Sequence, residues 1–400
     1  MPADDRFHAL DAVRAFALLL GIVFHAAESF VPGIPEWAVA DNSPSMTLAV
    51  IFYVSHIFRM PLFFLMAGFF GHMVYHRRGY ECFVRDRIKR ILIPLVAGWI
   101  VLYPAIVYIW IWGAQKAGGA TLPAEVRHLP AWMLTIGAFW TGEVFNGGIN
   151  LAHLWFLYYL LLFYGIVLVV RWCFVSWLDR EGGIRLWIDR RLRTLLGRIW
   201  APVVLAIPVA VCLYCGVGWF GVHTPDRSLV PELPTVVAYG TFVGLGSLLH
   251  RQVDLLPIWT DRWLCNLAFA ILLTIATLVT TGRLADSPGI VPGWMRPAYA
   301  AAYSLAMWSW VSGIVGLFLR YFSGPSAARR YVADSSYWLY LTHLPLVAFL
   351  QVAVGHAPWH WSLKFPLILA TAFPLLFVSY HYLVRSTFIG AILNGHRRTR

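Results

Sequence analysis

Apolar runs long enough to cross a bilayer recur along almost the whole chain. A spanning helix needs about 20 apolar residues. Windows of that size fall at 12–30, 47–73, 91–112, 153–171, 200–220, 234–250, 263–281, 298–319, 333–354 and 364–386. Backbone groups in lipid must be satisfied within the segment, so each window is read as a helix. The pattern predicts an all-α polytopic membrane protein with about ten transmembrane helices, forming a single domain over residues 1–400. The apolar stretch 131–145, with Trp132 and Trp140, is short and interrupted. It reads as an interfacial or re-entrant helix, with an eleventh span as the alternative. The 28 residues from Trp172 to Ile199 read as a surface helix. The run Ala15–Phe24 has the length of a signal-peptide core, but His25 and Glu28 interrupt it, so it is read as a retained first span.

Composition agrees with that reading. Hydrophobic residues make up 60% of 400 and charged residues 12%, against about 25% charged in soluble domains. The net charge of +12 does not call for nucleic acid, because the basic residues lie in short segments between windows. Of the 31 Lys and Arg, 24 fall on one side of a ten-span arrangement and 6 on the other, with Arg59 inside a span. The basic side is expected to be cytoplasmic, with both termini on it. The five cysteines are scattered and suggest no disulfide framework; Cys212 and Cys215 have metal-pair spacing only in isolation.

The first window carries ionisable residues that lipid penalises by about 2.5–3.5 kcal/mol each near its centre. Arg14 and His25 are eleven residues apart, about 1100° of helix, so they share one face some 16 Å apart. Gly21 lies on that face and leaves room beside it. Asp11 can reach Arg14, and Glu28 can reach His25. A histidine takes and returns a proton near neutral pH, and an adjacent carboxylate fixes its tautomer. The stripe therefore predicts a buried catalytic wall of His25, Glu28 and Arg14, with Asp11 beside it.

Other polar positions can complete a cavity. His56 and Arg59 precede Pro61, which is expected to kink the second helix; a cation there suits a substrate anion or an oxyanion. Arg85, Arg87, Lys89 and Arg90 cluster before the third window, and an Arg-x-x-Arg fork suits phosphate. His153-Leu-Trp155 opens the fourth window, where Trp155 could stack on a sugar or anchor in the interface. In the ninth, Ser336, Tyr340 and His343 share a face next to Pro345. Each could instead be an ordinary helix contact. There is no P-loop, zincin, nucleophile-elbow or dinucleotide motif.

The ordered series Leu10-Asp11-x-x-Arg14 to His25, Phe58-Arg59-Met60 to Gly68, Arg87-x-x-Arg90, His153-Leu-Trp155-Phe-Leu and Tyr340-Leu-Thr-His343-x-Pro345 resembles the acyltransferase-3 family of membrane acyltransferases. Within it the resemblance is to a group that modifies glucans. Leu344 stands where some members have a second histidine. The resemblance implies acyl transfer from cytoplasmic acyl-CoA (succinyl-CoA or acetyl-CoA) to a hydroxyl of a periplasmic glucan or other polysaccharide, in a bacterial inner membrane. It implies a catalytic His25, a functional Arg14 and donor-side roles for Arg87 and Arg90. No permanently bound cofactor, metal or nucleic acid is expected. In the expected mechanism Arg85, Arg87, Lys89 and Arg90 hold the CoA nucleotide, while His56, Arg59, Trp155, Tyr340 and His343 line the substrate chamber. A secondary transporter or flippase of a glycoconjugate, or a sensor subunit, is the alternative class.

Overall fold

Helix α1 (His8–Glu28) opens the structure, a computed structural model that describes residues 7–33, 37–146, 148–216, 221–281 and 293–394. It is followed by α2 (Met46–Arg87), α3 (Ile93–Lys116) and the short α4 (Ala131–Thr141). Next come α5 (Trp155–Cys173), α6 (Gly183–Gly197), α7 (Ala201–Cys215), α8 (Leu233–Arg251) and α9 (Leu256–Thr281). The chain continues through α10 (Arg296–Tyr321), α11 (Ala327–Val354), α12 (Trp361–Ser379) and α13 (Phe388–Asn394). The described residues contain no strand.

Eight described helical stretches are long and apolar enough to cross a membrane, or nine if the pair α6–α7, bent by 106°, counts as one. One of the eight, Met46–Lys116, runs for 71 residues, which at about 1.5 Å per residue is roughly three and a half bilayer cores long. It leaves helical geometry at Gly79, where φ is 78° and ψ 174°. The windows at 47–73 and 91–112 lie on either side of that break. The basic stretch 74–90, expected as a loop, is helical up to Arg87 and passes into a wider π turn at Ile88–Leu92. It contains no proline, and only Gly79 departs from the helix. Pro61 does not end α2, which continues through it with the proline buried. The α4 helix has 11 residues, about 16 Å, and is too short to span. Residues 217–220, the end of one window, and Arg283, counted with the less basic side, lie outside the described residues.

The helices meet around α1, α2, α8, α10 and α11. α2 and α8 pack backbone to backbone: a Cβ at Gly68 would lie 2.0 Å from the Val243 carbonyl oxygen. Such close approach between small residues is how helices associate where lipid gives no hydrophobic drive. Aromatic rings fill the remaining core, with Trp308 stacked on Phe242 at 4.0 Å and Phe64 on Tyr239 at 4.7 Å.

The C-terminal end of α1 is fastened from two sides. The last four carbonyls of a helix lack an internal partner. Gln351 of α11 serves two of them, donating from Nε2 to His25 O at 2.9 Å and Ala26 O at 3.0 Å. Its Oε1 accepts from Trp37 Nε1 at 2.8 Å. Lys364, at the start of α12, is fully buried and donates to Asp41 Oδ1 at 2.8 Å, Asn42 Oδ1 at 2.6 Å and Gly355 O at 3.0 Å. This ion pair pins the segment after α1 to α11 and α12.

Candidate active site

His25 lies in the last turn of α1, and its Nδ1–H donates to Glu28 Oε2 at 2.9 Å. Both side chains are about 15% exposed, at 14% and 15%. Helical spacing of three produces the pair, and the carboxylate leaves Nε2 as the free nitrogen of a neutral imidazole. Three rings surround His25: Phe24 at 5.0 Å edge-on, Trp37 at 5.8 Å and nearly parallel, and His343 at 5.2 Å.

Arg59 approaches from α2. Its Cζ lies 4.1 Å over the Phe24 ring, a cation–π contact. Phe24 is itself stacked on Phe52 at 4.2 Å and near His56 at 6.1 Å. Gly21 creates the space for the guanidinium, since a Cβ there would lie 2.9 Å from Arg59 Nη1. Arg59 Nε is buried without a hydrogen-bond partner, so a donor stands ready beside the His25–Glu28 pair.

α11 supplies the facing wall. His343 Nδ1–H donates to Tyr340 O at 2.6 Å, and Tyr340 Oη–H donates to His153 O at 2.7 Å. His153, in the single turn Ala152–Leu154, donates from Nε2 to Leu341 O at 2.9 Å. Its ring is 5.3 Å from that of His343. The structure thus brings His25, Glu28, Arg59, Tyr340 and His343 into one cluster and adds His153, with His56 behind Phe24. Trp155 lies elsewhere, 6% exposed between Phe64, Tyr159 and Tyr239.

Arg14 sits toward the opposite end of α1. It pairs with Asp11 at 3.4 Å and lies 5.5 Å over Phe70, with 39% of its side chain exposed. The basic cluster belongs to this end. Asp86 is its hub, 3.2 Å from Arg87 Nη2 and 2.9 Å from Arg90 Nε. Arg87 also lies over Phe83 and Tyr164, and donates to Tyr164 Oη at 3.3 Å. Tyr337 of α11 holds the Arg90 carbonyl. Arg90 feels the charges of Arg78 and Arg14 as well as those of Asp86 and Arg87. Arg85 and Lys89 are exposed. Asp11 and Asp86 do not balance Arg14, Arg78, Arg85, Arg87, Lys89 and Arg90, so the end is net positive, suited to an anionic group.

Among the described residues, no group of three or more His, Cys, Asp or Glu has the arrangement of a metal site. Sequence reasoning assigned no site role to His153, Trp37, Gln351 or Asp86. Gln351 is eight residues after His343, on the same helical face, which is a usable signal. Trp37 lies between helices, where periodicity carries none. The chemistry available is proton transfer at His25 beside a fixed carboxylate, with Arg59 placed for developing negative charge.

The sequence pattern of the acyltransferase-3 family, described as an acyltransferase domain, matches residues 7–381. Among curated proteins, glucans biosynthesis protein C of Escherichia coli O157:H7 (strain EC4115 / EHEC) is 26% identical over 379 residues, covering 90% of this chain and 87% of that protein. The protein of the same name from Shigella dysenteriae serotype 1 is 25% identical over 378 residues, with 90% and 87% covered. That from Salmonella typhimurium is 26% identical over 358 residues, with 86% and 83% covered. No solved structure matches the chain.

Proposed function

Because this chain belongs to the acyltransferase-3 family, we propose that it transfers a succinyl or acetyl group from cytoplasmic acyl-CoA to a hydroxyl of an extracytoplasmic glucan or related carbohydrate. The chain is a multi-pass membrane acyltransferase, and the names of its relatives point to a carbohydrate acceptor. The His25–Glu28 hydrogen bond beside Arg59 carries the reading.

Taking Met46–Lys116 as two crossings and α6–α7 as one makes ten. An even number sets both termini on one side, and the 24-to-6 split of basic residues assigns that side to the cytoplasm. Arg85, Arg87, Lys89 and Arg90 then meet the CoA nucleotide at the cytoplasmic mouth of a bacterial inner-membrane protein. The pantetheine arm follows the Arg14 face toward His25. The acceptor enters past Trp37.

His25 Nε2 removes the proton from the acceptor hydroxyl. The oxygen attacks the thioester carbonyl, and the carbonyl oxygen becomes an anion beside Arg59. Collapse re-forms the carbonyl and breaks the carbon–sulfur bond. The imidazolium, stabilised by Glu28, returns its proton to the departing CoA thiolate. The reaction balances as ester plus free CoA.

The test is reconstitution in liposomes with labelled acetyl-CoA or succinyl-CoA inside and a glucan outside. Label on the external glucan is the expected result, and its identity gives the donor. Absence of both labels from every acceptor overturns the reading.

A further inference from the structure

His153 and His343 are buried, 6% and 2% exposed, and each leaves one ring nitrogen without a hydrogen-bond partner: Nδ1 of His153 and Nε2 of His343. The chemistry of those two atoms follows from their neighbours. A backbone carbonyl only accepts. His153 must therefore carry its proton on Nε2 to meet Leu341 O, and His343 must carry its proton on Nδ1 to meet Tyr340 O. In the neutral rings the remaining nitrogens are lone-pair acceptors. Two buried acceptors stand in rings 5.3 Å apart, and the second ring is 5.2 Å from His25.

Native structures rarely leave buried polar atoms unpaired, and such atoms call for a missing partner. Here the partner has to donate. Arg59 Nε, the third unpartnered nitrogen of the cluster, is a donor and asks for the opposite. The backbone adds a separate sign. Ala152, immediately before His153, has φ of 46°, a region that alanine enters at a cost and that clusters at ligand sites. Leu151 N and Ala152 N are held to Asp226 O and Asn150 Oδ1, at 2.6 and 2.7 Å, so the strained turn is fastened in place.

We propose that His153 and His343 form a hydroxyl-receiving subsite, each accepting a hydrogen bond from one hydroxyl of a polyhydroxylated acceptor while a further hydroxyl is presented to His25. This rests on the acyl-transfer reading for the fate of that further hydroxyl. A sugar carries several hydroxyls on neighbouring carbons and meets both nitrogens at once. A simple alcohol carries one and leaves them bare. A site built around hydroxyls rejects an analogue lacking one far more strongly than an apolar pocket does, because its own polar atoms stay unpaired. Neither histidine takes the reacting proton. They select and orient the acceptor. Arg59 Nε, of opposite polarity, remains for the acyl carbonyl.

The experiment uses the full chain in liposomes, a glucose oligosaccharide, and the same oligosaccharide with single hydroxyls removed. In the wild type, removal of either recognised hydroxyl should lower kcat/KM by about tenfold to a hundredfold. His153→Leu and His343→Leu should raise the acceptor KM by a similar factor, and each should become indifferent to one deoxy analogue. His343→Gln, whose amide oxygen still accepts, should recover part of the loss. A wild type insensitive to every single deoxygenation overturns the subsite, whatever the variants do. So do leucine variants that keep the wild-type KM and the wild-type sensitivity. Calorimetric binding of the oligosaccharide without acyl donor separates the two readings. Histidine-dependent binding with no transfer defeats the acyl-transfer reading and leaves the subsite standing. Transfer with histidine-independent binding defeats the subsite alone.

Discussion

His153 occupies a hydrogen-bonding position that Pro345 vacates. In a regular helix the N–H of residue 345 would bond to Leu341 O, four residues back. Proline has no N–H, and His153 Nε2 fills the gap at 2.9 Å. A proline in one helix thus fixes the tautomer of a histidine from another part of the chain.

Restoring that N–H should undo the arrangement. In Pro345→Ala the helix regains its own bond, and a mid-helix proline costs up to about 3 kcal/mol relative to alanine. Thermal stability in detergent should hold or rise, while the acceptor KM rises about tenfold as His153 loses its anchor. Unchanged KM would show that the carbonyl does not set the histidine.

The acid–base pair should separate cleanly from folding. His25→Ala should abolish acyl transfer with the elution profile of the folded protein intact. Glu28→Gln should lower kcat by about 10²–10⁴ with little change in donor KM, the range expected when a general base loses its orienting carboxylate. Steady-state kinetics on reconstituted protein checks both.

Lys364 and Asp41 form a pair at 0% and 1% side-chain exposure. Removing one partner strands a buried charge, at a cost of about 3–5 kcal/mol. Lys364→Met should therefore lower the unfolding temperature more than the double change Lys364→Met with Asp41→Asn. Thermal denaturation followed by tryptophan fluorescence compares them.

Asp179 precedes α6 and accepts from Ile184 N at 2.8 Å, Arg185 N at 3.0 Å and Arg185 Nε at 2.7 Å. Desolvation alone would raise its carboxyl, but these donors outweigh it and hold the group below the ordinary carboxylate value. A lowered value stabilises the structure above the ordinary carboxylate range, and that support is lost as pH falls through the lowered value. Limited proteolysis at Arg185 should be slow at neutral pH and accelerate at acid pH. Asp179→Asn should cleave faster already at neutral pH and lose most of that dependence.

Much of this was readable from residue order. Spacing alone placed Glu28 on His25, and Gly21 beside them, because a helix converts sequence distance into position without outside help. Nine of the ten apolar windows fall on long helices for the same reason, while the window at 200–220 meets the 15-residue α7, long enough to span only together with α6. What stayed hidden depends on partners hundreds of residues away. Trp37 and Gln351 are 314 residues apart, and no local rule joins them. His153 shared a motif with Trp155, read as a sugar platform or an interface anchor, yet Trp155 packs in the aromatic core. Asp86 was overlooked because the surrounding arginines suggested phosphate before they suggested a counter-ion of their own. The break at Gly79 was legible only as a glycine; Pro61, the more conspicuous signal, leaves α2 running on.

The amide of Gln351 grips the main chain at His25 with one end and the indole of Trp37 with the other. Whatever displaces the segment bearing Trp37 therefore pulls on the peptide from which the imidazole hangs. Under the proposed acyl transfer, an acceptor pressing on the tryptophan would tilt the imidazole, so that docking and the readiness of the base would be one mechanical event.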